Sequence, residues 1–145
     1  MLDEISDRNQ RSVYRVTEEI EGGIRMNSSG WIRGMMAKTY ENEAFLLHVG
    51  KGIERQLQEW DENFTVNIMK FKDYHFVVRN GETYYEAVVI FESELKELQD
   101  RSPYALDAKI WTGLEQVGLK VKWGYGDYLD KVFMKRRTET NGDSA

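Results

Sequence analysis

The chain of 145 residues contains no cysteine, and Pro103 is its only proline. The lack of cysteine excludes disulfide bonds, thiol nucleophiles and every zinc site that needs a thiolate ligand. It is compatible with the reducing cytoplasm, which is the location that we predict. The two histidines, His48 and His75, are too far apart for a His-x-x-x-His metal site on a helix. We therefore expect no metal and no cofactor.

Long apolar runs are missing as well. The longest covers residues 87–91, far short of the ~20 residues that span a bilayer. The first residues of the chain are acidic and polar, unlike the basic and apolar start of a signal peptide. A net charge of −5 disfavours binding to a phosphate backbone. We expect no membrane contact and no nucleic-acid partner.

Common catalytic motifs are not found either. Gly50-Lys51-Gly52 lacks the four-residue spacing and the Lys-Ser/Thr pair of a phosphate-binding loop. No Gly-x-Ser-x-Gly sequence occurs. The chain has one basic cluster, formed by Lys131, Lys135, Arg136 and Arg137. Such a cluster is typical of the last turns of a helix, where positive charge interacts favourably with the helix macrodipole.

What the chain does contain is enough apolar sequence for one core. Hydrophobic residues make up 41% of the chain and aromatic residues 12%, which fits a single globular domain of this length. We assign residues 1–137 to that domain. The polar residues 138–145 are predicted to form a disordered tail.

Apolar residues recur every three or four positions in residues 43–60, which favours one continuous helix there. Gly50 and Gly52 leave an alternative open: a strand over residues 44–49, a loop, and a helix from Ile53. Residues 26–40 fit a helix or a strand and stay unassigned. Further helices are predicted over residues 8–21, 93–99, 102–118 and 127–135. Serine caps are expected at Ser93 and Ser102, and a glycine end at Gly118.

The strongest strand signal is Asn80-Gly81 between two runs of β-branched and aromatic residues. It predicts a hairpin with a two-residue type I′ turn. In that register Arg79 faces Glu82, Val77 faces Tyr84 and His75 faces Glu86. A strand over residues 64–71, joined through a turn at Lys72-Asp73, completes a three-stranded meander, and residues 119–123 are a candidate fourth strand.

The predicted fold class is therefore α+β. A three- to four-stranded antiparallel sheet forms a meander, and helices pack mainly on one of its faces.

The hairpin register defines the one candidate site. It places Val66, Ile68 and several charged residues on the face away from the helices. There the Glu86 carboxylate lies beside the His75 ring and can favour its charged form, as acid–base chemistry requires. Lys70 and Tyr84 complete this candidate ligand-binding group. The alternative is a solvated cross-strand ion pair.

For function we predict a small cytoplasmic regulatory or adaptor protein that binds a protein partner or a second copy of itself. Four tryptophans and eight tyrosines support this prediction, because both types are enriched at interfaces. One alternative is a small-molecule-binding domain or enzyme that uses the His75 and Glu86 face, although the lack of a catalytic motif disfavours an enzyme. The other alternative is an acidic inhibitor or immunity-type protein that covers a basic site.

Overall fold

The computed structural model describes residues 2–6, 12–16 and 30–134. The described strands form one antiparallel sheet in the order β1-β2-β3-β4, and both β5 and β6 pair with β4. Their bounds are Leu2–Ser6 (β1), Ser12–Val16 (β2), Phe64–Lys70 (β3), Tyr74–Asn80 (β4), Thr83–Tyr84 (β5) and Val88–Ile90 (β6). The α+β class and the antiparallel meander are confirmed.

The helices of the described part follow from the apolar spacing of their sequences. They are Gly30–Thr39 (α1), Asn42–Trp60 (α2), Glu92–Arg101 (α3), Ala105–Gln116 (α4) and Tyr128–Val132 (α5). The continuous helix over α2 is confirmed, and Gly50 and Gly52 are buried inside it. No helix of the described residues has the length and apolar content of a membrane span.

The N-terminal prediction is wrong where the structure can be compared with it. Ser12–Val16 lies within the helix predicted over residues 8–21, but this segment is a strand that pairs with β1 and β3. Backbone pairing with two neighbours outweighs a helical spacing that rests on few apolar residues. The other residues of that predicted helix lie outside the described residues, as does the tail at 138–145.

One face of the sheet forms the core with α2 and α4. The side chains alternate along β3, β4 and β6, so every second residue over most of these strands is buried. Those that face the helices are Phe64, Val66, Ile68, Tyr74, Phe76, Val78, Val88 and Ile90. This confirms the prediction that the helices pack mainly on one face.

The β3–β4 connection differs from the predicted two-residue turn. Lys70 pairs with Tyr74, and the loop of residues 71–73 is closed by the Phe71 N–H, which donates to the Asp73 carbonyl at 3.0 Å. A shift of one residue exchanges the two faces of a strand. Val66 and Ile68 therefore lie in the core and not on the mixed face, and that part of the prediction is wrong.

The predicted hairpin is present, but its turn is shifted. Asn80 pairs with Thr83, so Gly81 and Glu82 are the central residues. Gly81 has a φ of 61° and is the only residue of this turn with positive φ. Positive φ at the first central position alone is the pattern of a type II′ turn, so the type I′ assignment is wrong.

A bulge then separates β5 from β6. Arg79 pairs with Tyr84, whereas His75 pairs with Val89, which requires one extra residue in the stretch 85–87. The predicted pairs Arg79–Glu82, Val77–Tyr84 and His75–Glu86 are therefore all wrong. The bulge has a clear function in the fold, because the extra residue turns Val88 and Ile90 into the core.

The ends of the helices agree with the sequence in part. After α4, the Leu119 N–H bonds to the Leu114 carbonyl and the Gly118 N–H to the Glu115 carbonyl. These two bonds form a Schellman motif, and Gly118 has the expected positive φ, 105°.

The predicted serine caps and the candidate fourth strand are wrong. Residues 102–104 form a turn before α4 begins at Ala105, without a side-chain cap. α3 begins at Glu92, and there Glu94 accepts a hydrogen bond from the Phe91 N–H at 2.9 Å. Residues 119–123 form no strand in the described structure, since the chain leaves the Schellman motif with Leu119 turned into the core.

Candidate functional site

The four residues of the predicted site do not come together. His75 lies on the outer face of the sheet, and its ring meets the Phe71 ring edge-on at 4.8 Å between centroids. Glu86 lies in the bulge and is exposed. The carboxylate that was expected to orient the His75 ring is thus not its cross-strand neighbour.

Lys70 and Tyr84 lie away from His75 as well. Lys70 ends β3 on the core-facing side, with its Nζ 3.8 Å from Glu92 Oε2 and 5.3 Å from the centre of the Tyr74 ring. Tyr84 is exposed near the hairpin tip, where its hydroxyl accepts a hydrogen bond from Arg79 Nη1 at 3.1 Å. Ligand binding by the four residues stays a prediction, but the side-by-side arrangement on which that prediction depended is not present.

A different surface feature lies over the α3–α4 connection. Two depressions flank residues 102–104, one of about 420 Å³ toward α1 and one of about 620 Å³ toward α4 and α5. Both are lined by Arg101, Ser102 and Pro103. We call the two depressions together the Pro103 groove.

The α1 wall of the Pro103 groove is apolar and faces solvent. Trp31, Gly34, Met35 and Lys38 lie on one side of the helix, at relative positions i, i+3, i+4 and i+7. Trp31 is 74% exposed and Met35 is 47% exposed. A helix normally turns such a stripe toward the core, but α1 buries Arg33 and Met36 instead.

The other wall is formed by α4 and by the end of α5. Tyr104, Ala105 and Ala108 line it from the α4 side, and Val132 and Met134 from the α5 side. Met134 is 82% exposed. The groove therefore has exposed apolar side chains at both ends, Trp31 and Met35 at one and Met134 at the other. Tryptophan and methionine are side chains that protein interfaces favour.

A buried polar network fixes these walls from below. Arg33 Nη1 donates to Asp107 Oδ1 at 2.5 Å and approaches the Pro103 carbonyl at 3.5 Å. The Tyr128 hydroxyl donates to Asp107 Oδ2 at 2.5 Å and accepts a hydrogen bond from Trp111 Nε1 at 3.2 Å. The network thus joins α1, the connection, α4 and α5.

The surroundings of the network are apolar and aromatic. The Arg33 guanidinium lies 4.8 Å from the centre of the Tyr104 ring, within the range of a cation–π contact. Burial raises the pKa of Asp107, and the charge of Arg33 and the hydrogen bond from Tyr128 oppose this rise. Burial and the neighbouring Asp107 raise the pKa of Tyr128 well above its ordinary value. Tyr128 therefore keeps its proton and remains a donor.

Gln99 holds the far end of α1. Its Nε2 donates to the carbonyls of Ala37 and Tyr40, both at 2.8 Å, and its Oε1 accepts a hydrogen bond from Asn42 at 2.7 Å. The side chain is buried. One residue of α3 thus satisfies carbonyls that the end of α1 leaves open and keeps α1 against α3.

The lining of the Pro103 groove provides apolar side chains, cations and two carboxylates, and neither depression is lined by a histidine. Within residues 2–6, 12–16 and 30–134, no group of three or more acidic or histidine side chains could hold a metal ion.

The sequence predictions missed this surface. Trp31 and Met35 fall in the segment that stayed unassigned, although the spacing of Trp31, Gly34, Met35 and Lys38 is a helical signal. The sequence carries no sign that this stripe faces solvent, since apolar stripes normally form the core.

Comparison of the chain with protein-family models, with curated proteins and with solved structures gives no match.

Proposed function

We propose that this protein is a small adaptor or regulatory protein that binds another polypeptide through the Pro103 groove. The observation that carries the proposal is α1, which turns Trp31 and Met35 to solvent and buries a charged residue, Arg33. Burial of a charged side chain costs free energy, and an exposed tryptophan gains none from burial. Neither placement favours the stability of the protein on its own. A binding surface accounts for this inverted arrangement.

The energetics of interfaces support the proposal. Tryptophan is among the side chains that most often dominate binding energy, above all where a pocket lies beside it. Methionine adapts its shape to a partner at small cost. Trp31 and Met35 stand beside a depression whose floor contains Gly34 and Ala37, so an inserted side chain finds space between them.

The alternatives from the sequence have different support. The enzyme or small-molecule alternative depended on His75 beside Glu86, and these residues are not paired. The inhibitor or immunity-type alternative rests on the net charge alone. The polypeptide bound in the groove can also be a second copy of this chain. We further propose that the protein acts in the cytoplasm.

Site-specific photocrosslinking in the native cells tests the proposal. A photoreactive phenylalanine analogue replaces Met35 in the groove or, as the matched control, exposed Glu82 at the hairpin tip. We expect a defined crosslinked product from position 35 that is absent from position 82 and is lost when Trp31→Ala is added. Equal products from both positions, or none from position 35, would contradict the proposed function.

A further inference from the structure

We propose that the partner of the Pro103 groove is an acidic amphipathic helix whose apolar side chains pack on Trp31, Met35 and Pro103. This inference rests on the proposed function and specifies the chemistry of its partner. It draws on two observations that are independent of each other, namely the shape of the α1 wall and the charge of the groove lining.

The shape of the α1 wall favours a helix as the partner. Ridges and grooves on a helix surface are formed by residues three and four positions apart, and the stripe of Trp31, Gly34, Met35 and Lys38 has this spacing. A Cβ atom built at Gly34 would lie 3.7 Å from Pro103 Cγ, so the connection packs directly against the α1 backbone between the two large side chains. A side chain of a partner helix can pack over this junction between Trp31 and Met35, as a knob packs between the residues of a facing helix.

The charge of the lining favours an acidic partner. Four cations and two carboxylates line the groove, in a protein whose net charge is −5. The cations are Lys38, Arg101, Lys109 and Lys131, and the carboxylates are Glu94 and Asp100. The lining therefore carries two more cations than carboxylates, opposite in sign to the net charge of the chain, and this excess favours an acidic segment over a basic one.

The ion pairs around the groove are compatible with this role. Arg101 pairs with Glu97 and Lys131 with Asp127, both across one helical turn, with Lys131 Nζ 3.7 Å from Asp127 Oδ2. Lys109 Nζ lies 3.6 Å from Glu94 Oε2. Exposed ion pairs contribute little to stability. A carboxylate of the partner can therefore replace Glu97 or Asp127 with little loss.

A display selection with the full chain tests the proposal. The probe is a phage library of helical peptides of about 16 residues, long enough for marginal helix formation. Leucine is fixed at the i, i+3, i+4 and i+7 positions, and the other positions are random mixtures of Glu, Lys, Gln, Ala and Ser. Each selected peptide is then measured against two groove variants, Gly34→Leu, which adds a large side chain next to Pro103, and Trp31→Ala.

We expect that peptides which depend on the groove carry an excess of Glu over Lys. A selected peptide should lose at least about tenfold in affinity, equivalent to 1.4 kcal/mol, when Lys38→Glu and Arg101→Glu are combined. The matched control is Lys120→Glu, an exposed charge reversal outside the groove, which should leave the affinity unchanged. Trp31→Ala keeps the test valid if Gly34→Leu does not fold, because the Trp31 side chain is mostly exposed.

Three outcomes would overturn the inference. Groove-dependent peptides that are neutral or basic would refute the acidic partner and leave the proposed function standing. Wild-type protein that sediments as a dimer, and as a monomer after Trp31→Ala, would identify a second copy as the occupant. A selection without any groove-dependent peptide would refute the helical partner, and the crosslinking experiment would then decide the proposed function separately.

Discussion

Among single residues, Arg33 and Asp107 form a polar contact inside the helical half of the molecule. Both side chains are fully buried, and their ion pair lies between α1 and α4. A buried pair adds little stability compared with apolar residues of the same volume, but the loss of one partner leaves an isolated charge in the interior. The two partners also differ, because a carboxylate can take up a proton and a guanidinium cannot release one.

This difference predicts unequal effects of the two single replacements. Asp107→Asn should destabilise the fold by about 3–5 kcal/mol, because Arg33 stays charged. Arg33→Met should cost less at low pH, where Asp107 is neutral. Removal of Arg33 raises the folded-state pKa of Asp107 further, so the stability of this variant should fall as the pH rises through that pKa.

Urea unfolding of both variants across the acidic pH range is the measurement, with wild type as the reference. If Arg33→Met and Asp107→Asn lose the same stability at every pH, the pair does not carry a buried charge.

Asp61 illustrates the opposite electrostatic situation, at a partly exposed site. Its carboxylate accepts hydrogen bonds from the Asn63 N–H at 3.0 Å and from Asn80 Nδ2 at 3.3 Å. These bonds lower its pKa below the ordinary value of 3.8. The ionised group therefore stabilises the fold above pH 3.8, and this contribution disappears as the pH falls through the lower folded-state pKa.

Thermal melting of wild type and Asp61→Asn should show this pH dependence. We expect wild type to melt at the higher temperature near neutral pH, and the difference to shrink once the pH falls below 3.8. Glu62→Gln, at the neighbouring exposed carboxylate, is the control for the loss of one negative charge in this loop. A difference that is constant down to the lowest pH would mean that the two hydrogen bonds do not form.

At the scale of elements, helices were easier to predict than strand register. The end of α4 at Gly118 and the length of α2 depend on residues close in sequence, and both are confirmed. The register of the sheet depends on the loop at residues 71–73 and on the bulge at 85–87. Each shifts the pairing by one residue, and neither has a distinct local signal.

Replacing two helical glycines by alanine should change the stability of the protein in opposite directions. Gly34→Ala should stabilise the protein by about 0.5–1 kcal/mol, because alanine is the better helix former and its Cβ makes an ordinary contact with Pro103. Gly113→Ala should destabilise it by about 1–2 kcal/mol, because the new Cβ would lie 2.7 Å from Val88 Cγ1.

Denaturant midpoints of the two single variants measure these effects. The double variant Gly113→Ala with Val88→Ala should recover part of the loss, because the obstructing methyl groups are removed. A neutral Gly113→Ala would show that α4 does not pack closely on β6.

For the whole molecule, the sequence predicts the class of fold better than it predicts surface features such as the Pro103 groove. Alternation and turn residues were enough for an antiparallel sheet with helices on one face. The Pro103 groove brings together residues about seventy positions apart, such as Gly34 and Pro103, and no local pattern indicates such a contact. A buried arginine is also contrary to the usual distribution of charge, so Arg33 could not be assigned to the interior from its sequence alone.

The two ends of α1 are held by different contacts. Gln99 binds the Ala37 carbonyl near the last turn of α1, and Arg33 in the first turn forms a buried ion pair with Asp107. The walls of the Pro103 groove are therefore in place without a partner, and binding of the proposed partner would change the order of the described residues little. The entropy lost in forming that complex would then fall mainly on the partner. Encounter rates should vary little among partners that present the same charge, and differences in affinity should appear chiefly as differences in the lifetime of the complex.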